Sequence, residues 1–148
     1  MPCAASGGRT GSVRLVVDTN LMIRALLSPG PARQFFKLAP FQHQILYHAE
    51  QLLELRDVAA RPRLKIAPEA VTELVERIER YGHRIDSDLD ANLGCRDPKD
   101  DYVLALALAG SAEIILTEDD DLLVLDPWRG IRIVRLFQFL QDHPLQQP

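Results

Sequence analysis

The sequence predicts an α/β fold in which helices cover both faces of a central parallel sheet. Two observations predict it: short apolar runs without a helical period recur along the chain, and segments with helical spacing of apolar residues separate them. Strands that alternate with helices are typical of a parallel sheet. At 148 residues and 47% hydrophobic composition, the chain has the size and apolar content of one domain.

The first strand and the first helix follow one another directly. VRLVV, at residues 13–17, is apolar and rich in β-branched side chains, which predicts a strand buried on both faces. This strand ends at Asp18. The next segment, LMIRALLSPG, has helical spacing until the Ser-Pro-Gly sequence at residues 28–30 stops it.

Helices and strands alternate through the middle of the chain. A short helix over residues 34–38 precedes a strand within residues 43–47, and AEQLLELRDVAARPRL then predicts a helix that ends near Pro62. PEAVTELVERIERYG predicts a helix with Pro68 in its first turn and Gly82 at its end.

The last part of the chain predicts three strands and one strongly apolar helix. A weakly marked strand is expected around residues 84–86. YVLALALAG is apolar on every side, which suits a helix packed between layers, with Gly110 as its terminator. EIILT at residues 113–117 and GIRIVRL at residues 130–136 predict the remaining strands.

One domain is expected over residues 13–140, between a flexible N-terminal tail at residues 1–12 and a C-terminal tail at residues 141–148. The first segment is small and polar, without the apolar core of a secretory signal, and no run reaches membrane-spanning length. The two cysteines have no metal-type spacing, which fits a reducing cytoplasm. The formal charge of -4 argues against a surface coated with basic residues for non-specific nucleic-acid binding.

IILTEDDDLL, at residues 114–123, places four consecutive acidic residues after a predicted strand. The simplest interpretation is a solvated loop in which Asp121 caps a short helix beginning at Leu122. A functional interpretation follows from sheet geometry, because ligands of an open parallel sheet gather outside the carboxyl ends of its strands. Asp18 and Asp119 each follow a predicted strand, so both are expected at the same edge.

Two further acids are candidates for the same site. Glu54 lies in the otherwise apolar stretch LLELRDV, where a surface pair with Arg56 is the alternative. Asp101 lies in the first turn of the apolar helix, where the helix dipole favours a negative group. Asp100 is expected to cap that helix or support the site, because one helical residue turns a side chain by about 100°. Asp97, which precedes a proline, is expected in a turn.

Four carboxylates cannot share a pocket in ionised form without compensation, because like charges raise each other's pKa or require a cation. Oxygen-rich sites suit hard divalent cations such as Mg²⁺ or Mn²⁺. Such ions can activate water and stabilise both oxygens of a phosphodiester displacement. The sequence therefore predicts a metal-ion nuclease site.

Four blocks of the chain together resemble a known family. VVDTNLMIRALLSPG, LLELRDVAARPRL, RDPKDDYVLALALAG and EIILTEDDDLLVL resemble, in order and content, the PIN-domain ribonucleases, especially the toxin components of toxin–antitoxin systems. The resemblance covers about residues 13–140. It implies a Rossmann-like α/β/α sandwich with a parallel sheet, and cleavage of RNA with Mg²⁺ or Mn²⁺. It also implies a homodimer and a small antitoxin partner that covers the active face.

Position by position, the resemblance implies roles for individual residues. The acids that match the metal and catalytic positions of the family are Asp18, Glu54, Asp101 and Asp119. The residues that match polar positions supporting the site are Asn20, Thr117 and Asp121. Glu118 and Asp120 depart from the pattern, since a lysine or glycine often stands among the acids in the family.

Two other functions of α/β domains fit the residues of this chain less well than a nuclease does. A phosphotransferase of the haloacid-dehalogenase type needs a second Asp two residues after the first, where this chain has Asn20. A phosphoacceptor receiver domain needs an acidic pair after the first strand and a well-placed lysine, and the lysines here are Lys37, Lys65 and Lys99. An adaptor that keeps the fold and binds RNA or a protein without cutting remains the alternative.

The segment ELRDVAARPRLK is locally basic in an acidic protein. We expect some of its cationic side chains to contact RNA phosphates and deliver the strand to the acids. A solvated helix end, with arginines near the last carbonyls, is the alternative. The cationic residues are Arg56, Arg61, Arg63 and Lys65.

Overall fold

The computed structural model describes the backbone of residues 11–89 and 98–147, and the side chains of those residues apart from 98–101. In that part of the chain, five strands form one sheet whose neighbouring strands are all parallel. The strands are β1 Arg14–Val17, β2 Gln44–Tyr47, β3 His83–Arg84, β4 Ile114–Leu116 and β5 Arg132–Val134. Their order across the sheet is β3-β2-β1-β4-β5, which places β1 at the centre.

Helices connect the strands and cover the sheet. Those in the described ranges are α1 Thr19–Leu27, α2 Pro31–Leu38, α3 Ala49–Ala59, α4 Pro68–Tyr81, α5 Pro98–Ala109, α6 Asp120–Leu123 and α7 Leu136–Asp142. Short 3-10 turns follow two of them, at Ala39–Phe41 and Pro62–Leu64. No helix within the described ranges is both long enough and apolar enough to cross a bilayer.

Alternate residues of β1 point into two separate core layers, because side chains alternate between the faces of a strand. Leu15 and Val17 pack in one cluster with residues of α1, α2, α3, α4 and α7. Val16 packs in the other cluster with α5 and α6. All three side chains are fully buried. The protein is therefore a three-layer α/β/α sandwich around a parallel sheet, as the sequence predicted.

The periodic patterns predicted the elements well. Each of the four strongly marked strand segments contains an observed strand, and the weak one expected around residues 84–86 is β3, shifted to His83–Arg84. The apolar helix α5 is packed between layers as expected, since the five consecutive residues 103–107 are all buried.

Gly110 follows the end of α5 as predicted, although its own backbone is not left-handed. The residue with a left-handed conformation is the next one, Ser111, with φ 54°. A Cβ atom on Gly110 would lie 2.7 Å from Leu46 Cδ1 and 3.1 Å from Ile85 Cδ1. Glycine at this position therefore allows the end of α5 to approach the sheet closely.

Residues that follow position 140 contact the rest of the domain. Helix α7 continues to Asp142, beyond the predicted boundary at residue 140. Gln42 Nε2 donates to the Gln146 carbonyl over 2.9 Å, and the Gln146 amide donates to Gln42 Oε1 over 3.0 Å. Leu145 packs against the larger core cluster. The predicted N-terminal tail lies outside the described residues, except for residues 11 and 12.

Candidate active site

Asp18 and Thr117 meet at the carboxyl edge of the two central strands. Asp18 follows β1, and its amide donates to the carbonyl of Leu116 in β4 over 2.9 Å. The Thr117 hydroxyl donates to Asp18 Oδ2 over 2.8 Å, and the Asn20 amide donates to Asp18 Oδ1 over 3.2 Å. Asp18 is only 8% exposed and Thr117 is fully buried. The Asp18 carboxylate is thus held rigidly, as the N-cap of α1.

Asp119 is tied to the same threonine. Its amide donates to Thr117 Oγ1 over 3.0 Å. Its side chain caps α6, because Oδ1 accepts from the Asp121 amide over 2.9 Å. The expectation that Asp121 would cap a helix beginning at Leu122 is therefore wrong: the helix begins two residues earlier, at Asp120, and Asp121 lies inside its first turn.

Glu54 reaches the site from α3. Gln51 and Glu54 are one turn apart on one face of this helix, and Val58 continues that face. Leu52 and Leu55, on another face, belong to the core. The surface pair with Arg56 is not needed to explain the position of Glu54, because Glu54 lines a small cavity beside Asp18.

The cavity at this edge has a volume of about 60 Å³. It brings together three of the four predicted acids and one of the supporting residues, although they come from separate parts of the chain. Its lining consists of Asp18, Thr19, Asn20, Gln51, Glu54, Val58, Tyr102, Val103, Leu106 and Asp119.

Helix α5 forms one wall of the cavity. It begins at Pro98, so Asp100 and Asp101 lie at its amino end, and the next residue, Tyr102, lines the cavity. The side chains of Asp100 and Asp101 lie outside the described part of the chain, as does the whole of Asp97. The predicted division of roles among these three acids therefore stays a prediction.

Tyr102 connects α5 to α3. Its hydroxyl lies 3.0 Å from His48 Nδ1, which also accepts from the Glu50 amide over 3.2 Å and so caps α3. Burial, followed by the charges of Glu50 and Glu54, raises the pKa of Tyr102 far above its ordinary value. The phenol therefore stays neutral, and its hydroxyl can donate a hydrogen bond to His48 Nδ1.

The charge of Asp18 is poorly compensated by the residues around it. Burial raises the pKa of Asp18 above its ordinary value, and the hydrogen bonds from Thr117 and Asn20 act in the opposite direction. The nearby carboxylates of Asp119 and Glu54 raise the pKa further. A cation in the cavity would remove this strain, because an opposite charge favours the ionised form.

Glu118 and Asp120, whose roles the sequence could not assign, form ion pairs with Arg135. Arg135 Nη1 lies 3.1 Å from Glu118 Oε1, and Nη2 lies 2.8 Å from Asp120 Oδ1. Glu118 Oε2 also accepts from the Leu136 amide over 3.1 Å, at the amino end of α7. These two acids therefore have a structural role, and the four consecutive carboxylates do not all belong to one site.

The side chains of the predicted RNA-binding residues are all exposed, but they do not lie on one face of the protein. Arg56 is two residues after Glu54 in α3, which turns it by about 200° from Glu54 and away from the cavity. Arg61, Arg63 and Lys65 follow the carboxyl end of α3, around the 3-10 turn Pro62–Leu64. The cavity lining does not include any of the four.

The donor atoms at this edge fit a hard divalent cation. Carboxylate and amide oxygens line the cavity, which are the ligand types that Mg²⁺ and Mn²⁺ prefer. Gln51 Oε1 is a buried carbonyl oxygen without a hydrogen-bond partner. Among the described side chains, no three His, Cys, Asp or Glu are grouped closely enough to hold a metal ion by themselves. The predicted ligand Asp101 lies outside that set.

Three residues of the site region were missed by sequence reasoning: Gln51, Tyr102 and Arg135. Gln51 had a visible signal, since it is a polar residue one helical turn before Glu54 in an apolar stretch. Tyr102 and Arg135 had none, because their partners His48 and Glu118 are distant in sequence.

Comparison with known families agrees with this geometry. The family model described as PIN domain matches residues 14–121, which is more than half of the chain. The chain belongs to the PIN-domain family. The match spans the positions of all four predicted acids in the PIN domain and ends before Arg135. PIN domains are typically metal-dependent nucleases. Comparison with curated proteins gave no match to this chain.

Replacing Asp18 by Asn should stabilise the metal-free protein at neutral pH. The raised pKa means that the ionised carboxylate destabilises the fold once the pH exceeds the ordinary value of 3.8, and fully so above the folded-state pKa. Asparagine keeps the helix cap without the charge. We expect a rise in melting temperature of about 2–4 °C at pH 7, which corresponds to roughly 1 kcal/mol in a domain of this size.

Melting curves followed by circular dichroism in a chelator, at pH 7 and at pH 4, would check this expectation. The difference between Asp18→Asn and the wild type should shrink at pH 4, where more of the wild-type carboxyl is protonated. An Asp18→Asn variant that melts below the wild type at both pH values would contradict the assignment of buried charge strain to Asp18.

Proposed function

We propose that the protein is an endoribonuclease that depends on Mg²⁺ or Mn²⁺. One observation carries the proposal: in a PIN domain, Asp18, Glu54 and Asp119 come from three separate elements and line one cavity at the carboxyl edge of the sheet. Burial and the nearby carboxylates of Asp119 and Glu54 raise the pKa of Asp18, and a bound cation would favour its ionised form.

The residues that would hold the cation are Asp18, Glu54 and Asp119, together with Asp101, which the family resemblance adds. When bound, the cation would supply charge stabilisation to the oxygens of the phosphodiester and activate a water. The protein's own residues prepare the site. Thr117 orients Asp18 and Asp119 at the same time.

Further residues support the site. The Asn20 amide donates to Asp18, the Asp121 amide donates to Asp119, and the helix position of Asp100 is adjacent to Asp101. On the opposite side, Val103 and Leu106 of α5 line the cavity with apolar surface, which limits the entry of bulk water. A partly dry cavity strengthens the electrostatic interactions of the carboxylates.

Isosteric replacement of the proposed ligands should abolish cleavage and leave the fold intact. We expect Asp18→Asn, Glu54→Gln, Asp101→Asn and Asp119→Asn each to lower the rate of RNA cleavage by about 100-fold to 1000-fold, because each removes charge stabilisation where the barrier is lowered most. A chelator should abolish cleavage by the wild type. Gel assays on a broad panel of RNAs, with and without Mg²⁺ or Mn²⁺, would measure both effects.

Asp120→Asn is the matched control for Asp119→Asn. Asp120 is the next residue in the chain, its side chain is 85% exposed, and it pairs with Arg135 outside the cavity. Its replacement should change the rate by less than about twofold, since exposed ion pairs contribute little. Asp100→Asn should lower the rate much less than Asp101→Asn. The non-catalytic adaptor would be favoured if the metal-loaded wild type cleaves no RNA and Asp18→Asn binds RNA as well as the wild type does.

The basic segment after α3 is proposed to contact RNA phosphates. Replacing Arg61 and Arg63 together by Ala should weaken RNA binding and flatten its dependence on salt, because each lost phosphate contact lowers the slope by about one unit. Arg56→Ala should have a smaller effect, since Arg56 points away from the cavity. Fluorescence anisotropy at several salt concentrations would measure the slope. An unaltered slope in the double variant would exclude this role for Arg61 and Arg63, and Lys65→Ala would test the remaining lysine of the segment in the same way.

By resemblance to PIN-domain toxins, we also propose that the protein acts in the cytoplasm as the toxin of a toxin–antitoxin pair and forms a homodimer. A small antitoxin would cover the active edge. Light scattering at micromolar concentration should give about twice the chain mass of 16.6 kDa. A species of 16.6 kDa alone, at every concentration tested, would exclude the homodimer.

A further inference from the structure

Gln51 is a buried polar side chain that the proposed function leaves without a role. It is 3% exposed. Its Nε2 atom donates to the carbonyl of Val17 over 2.9 Å, and its Oε1 atom has no hydrogen-bond partner. A buried carbonyl oxygen without a partner loses its hydration and gains no bond in return, so native proteins rarely keep one without a reason.

The position of Gln51 indicates that reason. It lines the same cavity as Asp18, Glu54 and Asp119. Its Nε2 atom donates to the carbonyl of Val17, the last residue of β1, which immediately precedes Asp18. The Oε1 atom is the end of the amide that is not bound to the strand. A residue with a buried, unpartnered neutral oxygen therefore lies in the cavity lining beside the carboxylates.

We propose that Gln51 is a positioning residue of the cation site. Its Nε2 atom donates to the Val17 carbonyl and so directs Oε1 away from the strand, a constraint that a side chain with two acceptor oxygens would not need. Its Oε1 atom accepts a hydrogen bond from a water of the hydrated divalent cation. This inference rests on the proposed function, because it requires a divalent cation in the cavity.

The chemistry of Mg²⁺ supports this assignment. The ion gives up its waters reluctantly and keeps several of them when it binds to protein carboxylates. A site for it therefore needs acceptors for water hydrogens as well as carboxylates for the ion. The cavity of about 60 Å³ has room for such waters. Acceptors of this kind contribute about 10-fold to 100-fold to metal affinity in other proteins.

Two replacements of Gln51 test the role of its Oε1 atom separately from that of its Nε2 atom. Gln51→Met has similar length and lacks both atoms, and we expect it to weaken Mg²⁺ binding by at least about tenfold. Gln51→Glu keeps an oxygen acceptor and loses the donor to Val17, and it should bind Mg²⁺ within about threefold of the wild type or more tightly. Titration calorimetry on the full chain gives the dissociation constants, and circular dichroism verifies the fold of each variant.

Two controls exclude indirect explanations. Leu53→Met places the same new side chain on the exposed side of α3, outside the cavity lining, and it should leave Mg²⁺ binding unchanged within about twofold. The double variant Gln51→Met with Leu53→Glu adds a carboxylate on the exposed side of α3. Its Mg²⁺ affinity should stay low. Recovery in this double variant would attribute the effect of Gln51→Glu to charge, and would overturn the proposed acceptor.

The outcomes for Gln51 and for the nuclease are distinguishable. Equal losses in Gln51→Met and Gln51→Glu would mean that the Nε2 contact alone matters, and full affinity in Gln51→Met would remove Gln51 from the site. Either result would overturn the inference and leave the nuclease intact. If Gln51→Met binds Mg²⁺ weakly and Gln51→Glu binds it like the wild type, but the wild type does not cleave RNA, the inference would be supported and the nuclease rejected. A wild type that binds neither Mg²⁺ nor Mn²⁺ would overturn both.

Discussion

The Thr117 hydroxyl joins the two strand ends on which the candidate site depends. It donates to Asp18 Oδ2 over 2.8 Å and accepts from the Asp119 amide over 3.0 Å. One hydroxyl can make both contacts because it has one proton and two lone pairs. Thr117 is fully buried, and its own amide donates to Val134 in β5. The two acids are therefore fixed to the sheet itself, and the geometry of the site follows from the register of β1, β4 and β5.

This placement divides the acidic residues into two groups with different roles. Glu118 and Asp120 are paired with Arg135 outside the cavity, where one of them also accepts from the amino end of α7. Asp18 and Asp119 face the cavity with Glu54, and burial and mutual repulsion raise the pKa of Asp18. The outer charges are paired with Arg135, whereas the lining of the cavity contains no cationic side chain in the described part of the chain. A cation in this small cavity would interact more strongly with the carboxylates than in bulk water, because the surrounding protein lowers the effective dielectric constant.

Much of the site could be predicted from local sequence because its acids stand at the ends of recognisable elements. Asp18 and Asp119 follow apolar strands, and in a parallel sheet adjacent strand ends must share an edge. The cap of α6 was predicted wrongly at Asp121, because several adjacent acids can each cap a helix and only the backbone path decides among them. The pairing of Glu118 with Arg135 could not be predicted, since it depends on β5 lying next to β4. Gln51 was visible in the sequence, but its contact with Val17 was not.

By itself, the sequence determined the α/β class, the approximate place of each strand in the described part of the chain, and the candidate acids of the site. It could do so because the apolar periodicity, and the Gly and Pro residues that end helices, are local properties of the chain. The tertiary structure decided which of those acids lie together in one cavity. It brought Glu54 of α3 beside Asp18 of β1, turned Arg56 away from them, and assigned Glu118 to Arg135. The physical reason is that burial and charge pairing depend on strand order and helix packing, which connect residues far apart in the chain and leave no periodic signal in it.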